Sequence, residues 1–268
     1  MNKIAIVTGG SSGIGESIAL AMSKNGYTVY ATARNPKTEG LSASFKYLKM
    51  DVQSEESVDS AVSRVIELES RIDVLVNCAG LGINGPIEET PVEMVKNVFE
   101  TNVFGLVRVS QAVLPIMRKQ SSGFIINISS IAGEFGLPLR GFYSASKASV
   151  EMITEALRME VKQFGIRVTS VQPGDFATNI STNRPTADIT KDSVYFPMFS
   201  KIDEQVNEEV KHAKDPQMVG DGILKILEQK SPSVRYRIGP FMQKLSVKVK
   251  RLVNAKSFEK IIMNHYKI

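Results

Sequence analysis

The chain has 268 residues, of which 43% are hydrophobic and 23% charged, with a net charge of +5 and a single cysteine, Cys78. These values exclude a disulfide scaffold and a disordered polyelectrolyte, and they leave room for a core burying about three-quarters of the unfolded surface. No apolar run reaches the roughly 18 residues of a membrane span, and Lys3–Val7 begins a strand without a leader pattern, so the expected location is the cytoplasm.

The charge is uneven. Residues 241–268 hold seven Lys/Arg and one acid, which makes this segment +6 and the remainder −1. Two readings apply to it. One is a helix packed on the domain with a solvated lysine face, which is the expectation. The other is a basic amphipathic helix on an anionic membrane surface, with Leu245, Val249, Leu252 and Val253 near one face. Nucleic acid is not an expected partner, because aromatic interleaving and a wider basic surface are missing.

The first half alternates strand and helix. Ile4–Val7 is a strand that runs into Thr8-Gly9-Gly10, and a helical pattern follows from Ile14 to Lys24. Tyr27–Ala33 and Phe45–Met50 read as strands. Ser54 is a natural N-cap for a helix reaching about Glu69. Asp73–Val76, Phe124–Ile128 and Arg167–Val171 are further strands. Helical stretches cover about Val92–Glu100, Val103–Lys119 and Tyr143–Phe164. Repeated β-α units predict an α/β domain, a doubly wound parallel sheet of Rossmann type. The pattern breaks at about 179–213, which reads as an irregular substrate lid carrying Phe196, Met198 and Phe199. A helix at Pro216–Glu228 and a strand at Ser233–Ile238 complete a domain of residues 1–240, and 241–268 form the basic helical extension.

Several features bear chemistry. Thr8-Gly9-Gly10-Ser11-Ser12-Gly13-Ile14-Gly15 joins a strand to a helix, where glycines admit a pyrophosphate to backbone N–H groups. Arg34 ends the second strand, where an acid would bind the adenosine ribose. Its fork suits a 2′-phosphate, so NADP(H) is expected over NAD(H). Tyr143 and Lys147 are four residues apart and share a helix face. With 7 Tyr and 21 Lys in the chain, chance supplies about half of one such pair. The setting makes it specific: the helix follows the fifth strand, and Ser129-Ser130 end that strand. A nearby ammonium should lower the phenol pKa toward the range useful for acid–base work. His212 and His265 are isolated, so no metal is expected. Cys78 lacks a His partner and reads as a packing residue.

The motifs TGGSSGIG (8–15), Asp51-Val52, NCAG (77–80), TNVFG around Asn102, INISSIAG (126–133), YSASK (143–147) and PGDFAT (173–178) occur in one order. On them the chain resembles the short-chain dehydrogenase/reductase family over almost all of residues 1–240. The resemblance implies a catalytic tetrad of Asn102, Ser130, Tyr143 and Lys147. It implies dinucleotide contacts from Gly9, Ser11, Ser12, Gly13, Ile14 and Gly15. Asp51 and Val52 would lie at the adenine, Asn77, Ala79 and Gly80 at the adenosine ribose, and Pro173, Gly174 and Thr178 at the carboxamide end. Tyr143 would exchange the proton, Lys147 would hold the nicotinamide ribose, and Asn102 would position a water. Cys78 stands where the family often has a second asparagine, and Ser12 stands where many NADP-dependent members have a basic residue.

The lid and the extended C-terminus are similar to hydroxysteroid and retinol dehydrogenase-like members. The implied activity interconverts an alcohol and a carbonyl on an apolar small molecule. Reduction of a 3-oxoacyl thioester is the alternative, and a dinucleotide-sensing protein without catalysis is the other class. Family members often pair helices 103–119 and 143–164 into homodimers or homotetramers.

Overall fold

Side chains alternate across a strand, and the first strand shows where each face goes. A computed structural model of the chain describes residues 2–36, 40–41, 44–178 and 184–268. In β1 (Ile4–Thr8), Ile4 and Ile6 enter one apolar cluster while Ala5 and Val7 enter another on the opposite face. Both faces are covered, as a parallel sheet requires.

The chain continues through α1 (Gly13–Lys24), β2 (Thr28–Ala33), β3 (Gly40–Leu41), β4 (Lys46–Lys49), α2 (Glu55–Glu69) and β5 (Val74–Asn77). Next come α3 (Val92–Phe99), a π-helical turn at Glu100–Gly105, α4 (Leu106–Gln120), β6 (Gly123–Ile128), α5 (Gly141–Glu160) and β7 (Ile166–Pro173). The last elements are α6 (Phe196–Lys211), α7 (Gln217–Leu227), β8 (Arg235–Ile238), α8 (Phe241–Leu252) and α9 (Ala255–Tyr266). The sheet order is β3-β4-β2-β1-β5-β6-β7-β8. Among the described residues, seven strands are parallel and the two-residue β3 runs antiparallel, against β4. This is the expected doubly wound fold, and β3 is an edge addition that two residues could not announce.

One cluster is filled from α2, α4 and α5 through residues such as Val62, Val113 and Leu157. The other is filled from α1 and α7 through Ile18, Met22 and Ile223. Ser54 caps α2 as expected, its hydroxyl accepting from the Ser57 N–H at 3.2 Å. The strand order reverses between β1 and β5, which opens a crevice at their carboxyl ends. Thr8 fixes that crevice, because its hydroxyl accepts the N–H groups of Cys78 and Ala79 at 2.9 and 3.0 Å.

Two expectations change. The lid is not irregular throughout: α6 occupies residues 196–211, and residues 179–183 lie outside the described residues. Met198 and Phe199 pack with Leu139, Ile202, Val206 and Tyr266 in a third apolar cluster. The C-terminal helices pack on the domain, with Val247, Phe258 and Tyr266 buried. Among the described residues, no helix is long and apolar enough to cross a membrane.

Candidate active site

A cavity of about 1240 Å³ runs from the glycine turn after β1 to the C-terminal helices. That exceeds the space one drug-sized ligand needs, so it has room for a dinucleotide and a second molecule. Gly9 and all of residues 11–15 border it. The turn is tight enough to demand glycine. Gly9 has φ of +64°, and a Cβ there would lie 2.9 Å from the Ala79 Cα. A Cβ on Gly15 would lie 2.2 Å from the Gly9 carbonyl oxygen. The backbone therefore forms a bare cradle at the N-terminus of α1, where free N–H groups and the helix dipole favour a phosphate.

Arg34, Asp51, Val52, Ala79 and Gly80 continue the wall at this end. Arg34 is exposed at the end of β2. Asp51 is held by its own turn, with its carboxylate accepting from the Gln53 N–H at 3.0 Å. Asn77 does not reach the cavity, contrary to expectation. It is 3% exposed, and its amide donates to Ser110 at 3.0 Å and to Asn127 at 2.9 Å. Its position on β5 points it into the α4–α5 side, where it joins a buried polar network that Asn127 extends to Thr154 at 2.9 Å.

The catalytic candidates lie at the centre. The Ser130 hydroxyl lies close enough to Tyr143 to favour its phenolate, and it also caps the short turn at Ile131–Gly133 by accepting the Ala132 N–H at 3.1 Å. Lys147 is 5% exposed, and its ammonium donates to the Ile128 carbonyl at 3.0 Å. That ammonium lies 5.8 Å from the Tyr143 ring centre. Asn102 is buried behind this wall and does not line the cavity. It sits in the π-helical turn and clamps Leu81: its amide donates to the Leu81 carbonyl at 2.9 Å, and its oxygen accepts the Leu81 N–H at 2.7 Å. The same amide donates to Ser146 at 3.0 Å, which ties it to α5. A Cβ on Gly80 would fall 3.3 Å from the Asn102 oxygen and 3.4 Å from the Lys147 nitrogen, so glycine lets the two groups close on one point.

The electrostatics differ from the expected lowering of the phenol. Burial pushes Tyr143 above its ordinary value of 10.0, and Asp175 adds to this. The Ser130 hydrogen bond and Arg140 oppose it without reversing it. Burial also holds Lys147 down, from 10.5 to about 8, although Cys78 and Glu151 favour its charge. Burial pushes the Cys78 thiol up to about 12, which keeps it protonated and inert as a nucleophile.

Pro173, Gly174 and Thr178 border the cavity beyond Tyr143. The far end holds residues that no short motif marks, Asp175 of PGDFAT apart. Arg140 donates to the Tyr266 hydroxyl from α9, and its Nε is buried without a partner among the described residues. The Asp175 carboxylate accepts from Gln243 of α8 at 2.6 Å, and its N–H donates to the Gln243 oxygen at 2.9 Å. Arg184 pairs with Asp203 of α6 at 2.8 Å. Apolar lining comes from Ile131, Phe135, Leu137, Met242, Ile261 and Ile262. Phe196, Met198 and Phe199 are not part of it. The lid instead contributes Arg184, Glu208, Glu209, His212 and Ala213. No group of three or more His, Cys, Asp or Glu suited to a metal occurs among the described residues.

The comparisons agree with this geometry. The family described as short chain dehydrogenase matches residues 3–188. A 3-ketodihydrosphingosine reductase of Bacteroides thetaiotaomicron is 42% identical over 249 residues, covering 92% of each chain. A short-chain dehydrogenase from Streptomyces avermitilis superposes with a TM-score of 0.81 at 29% identity, over 100% of this chain and 96% of that one. A closed serine dehydrogenase complexed with NADP+ gives a TM-score of 0.76 at 26% identity, over 89% of this chain and 95% of its own. The glycine cradle, the Ser130–Tyr143–Lys147 cluster and these matches make the chain a member of the short chain dehydrogenase family, an NAD(P)-dependent oxidoreductase.

Proposed function

We propose that the protein is an NADP(H)-dependent reductase that turns a ketone on a long apolar chain into the secondary alcohol, with Tyr143 as the proton donor. The observation that carries this reading is the meeting of Ser130, Tyr143 and Lys147 on one cavity. That cavity has a phosphate cradle at one end and a part-apolar wall at the other. The dinucleotide, once bound, supplies the hydride, and the protein supplies position and the proton. Gly9 and residues 11–15 would hold its pyrophosphate, and Arg34 its 2′-phosphate.

Tyr143 donates its phenolic proton to the carbonyl oxygen as negative charge develops there. Burial keeps the phenol protonated, which suits reduction. Ser130 donates a hydrogen bond to the same oxygen and stabilises that charge. Lys147 would hold the nicotinamide-side ribose, and its ammonium would favour the phenolate that remains. Asn102 fixes the Leu81 backbone and α5 together, which would hold the wall behind Lys147 in place.

The relative that acts on a 3-keto long-chain substrate supports the choice of substrate class. The apolar side chains Phe135, Leu137, Ile261 and Ile262 would line the alkyl part. The Arg140–Tyr266 and Asp175–Gln243 pairs would face the polar groups beside the ketone. We further propose a cytoplasmic homodimer or homotetramer formed through α4, the π-helical turn before it and α5, where Phe104 of the turn and Met152 and Met159 of α5 are exposed.

The test is a panel of long-chain 3-keto amines, 3-oxoacyl thioesters, steroid ketones and retinal, followed by NADPH absorbance. Turnover of the first class should exceed the rest. Faster reduction of the thioesters assigns the alternative activity. Tyr143→Phe should lower turnover by about 10²–10⁴-fold with NADPH affinity unchanged, and full activity in that variant removes the proposed proton donor.

A further inference from the structure

Helix α8 is mounted with its apolar stripe facing outward. It meets the domain through Gln243, Val247 and Lys250, which share one face at helical spacing. Gln243 holds Asp175, Val247 is 1% exposed, and Lys250 donates to the Glu134 carbonyl and lies over the Phe135 ring. The opposite side carries Phe241, Met242 and Leu252, with Leu245 and Val249 half-buried between them. Phe241 is 72% exposed, Met242 70% and Leu252 84%. A helix serving only to cover the domain would turn this stripe inward and its lysines outward. Here a glutamine faces in and Lys250 reaches back to the domain while staying exposed, and the phenylalanine and leucine face out.

The surroundings of the stripe are cationic. Lys244 and Lys248 flank it on α8, and Lys256 and Lys260 stand exposed on α9. The stripe is also continuous with the cavity, since Met242 and Ile261 are both exposed and part of the lining. Two copies of this face would bring two +6 segments together, which disfavours a homodimer here and favours a negatively charged partner.

We propose that the outward face of α8 docks on an anionic lipid bilayer, with Phe241, Met242 and Leu252 at the acyl boundary and the lysines at the lipid phosphates. This orientation sets the cavity mouth against the membrane surface, from which a long-chain substrate would enter. Docking itself stands apart from the substrate assignment, because it is measured without substrate.

The full chain is sedimented with vesicles of phosphatidylcholine alone or mixed with phosphatidylglycerol. Binding is expected to the mixed vesicles at low salt, falling by about tenfold or more at high salt. Lys244→Glu with Lys248→Glu should weaken binding by about tenfold or more, and Phe241→Ser with Leu252→Ser by about tenfold. Unchanged thermal midpoints establish that the variants fold. If the apolar pair destabilises the chain, the charge pair decides alone. Equal partition onto both vesicle types overturns the proposal, as does wild-type binding by a folded charge variant. A concentration-dependent dimer abolished by Phe241→Ser also overturns it, and assigns the face to a second copy.

Discussion

The two ends of the cavity are built by different rules. The dinucleotide end is backbone, made of a glycine turn, a helix start and the ends of neighbouring parallel strands. Its elements are close in sequence or hydrogen-bonded as sheet neighbours. The substrate end is side chain, assembled by pairs such as Arg140 with Tyr266 and Asp175 with Gln243, which are 126 and 68 residues apart. A backbone site holds a chemistry common to many relatives, because any side chain added there obstructs it. A site made of long-range side-chain pairs can be rebuilt one pair at a time. This difference explains how one fold keeps its dinucleotide and changes its substrate.

Substitutions at each end should separate these rules. The largest effect is expected from Gly15→Ala, whose added methyl would meet the Gly9 carbonyl at 2.2 Å. The turn must open, and NADPH affinity should fall by about a hundredfold in isothermal titration. Wild-type affinity in this variant would mean that the cradle tolerates side chains after all. Arg34→Ala comes next, with NADPH affinity down by about tenfold and NADH affinity unchanged. Equal losses for both dinucleotides would remove the 2′-phosphate role.

The third test is a pH profile. Lys147 titrates at about 8 in the folded protein, against 10.5 unperturbed. Its ammonium is therefore lost as pH rises past about 8. The kcat/KM for reduction should decline above that pH by up to about tenfold per unit. Stability moves the other way. Between the folded and unperturbed values the unfolded chain binds more protons, so the cost of burying this charge is relieved as pH rises. A stability curve falling through this window, after the other titrating groups are accounted for, would contradict the buried ammonium. The smallest effect belongs to the substrate end. Tyr266→Phe leaves Arg140 without its oxygen partner and should raise KM by about two- to fivefold with little change in kcat.

The same contrast governs what could be read before any coordinates. The strands, the sheet class and the cradle follow from local patterns, because period-two alternation, glycine and helix caps act within a few residues. Ser130, Tyr143 and Lys147 were legible because a strand end and one helix turn fix their spacing. Asn77 was misplaced because a motif names a residue but not the side of the strand it faces. Here β5 turns it toward Ser110 and Asn127. Phe196, Met198 and Phe199 read as substrate contacts from sequence because they are apolar and lie in the lid. Met198 and Phe199 instead supply a local cluster under α9. Arg140, Gln243 and Tyr266 carry no local signal, since each gains its place only from a partner far along the chain, and PGDFAT contains Asp175 without naming its partner Gln243. The outward stripe on α8 was visible as a stripe, but nothing local says which way a helix faces.

Helix α5 carries a further consequence. Tyr143, Lys147, Glu151 and Glu155 follow one another at four-residue steps along it, the first two at the cavity and the last two gripping Arg235 of β8. Glu151 is 2% exposed and also accepts from Ser170 at 2.8 Å. The ion pair acts as a torsional stop. A helix that rolled about its axis would have to tear a buried carboxylate from its guanidinium before the tyrosine could drift from its serine. The aim of Tyr143 is thus set two turns away, at the edge of the sheet, by residues outside the cavity wall.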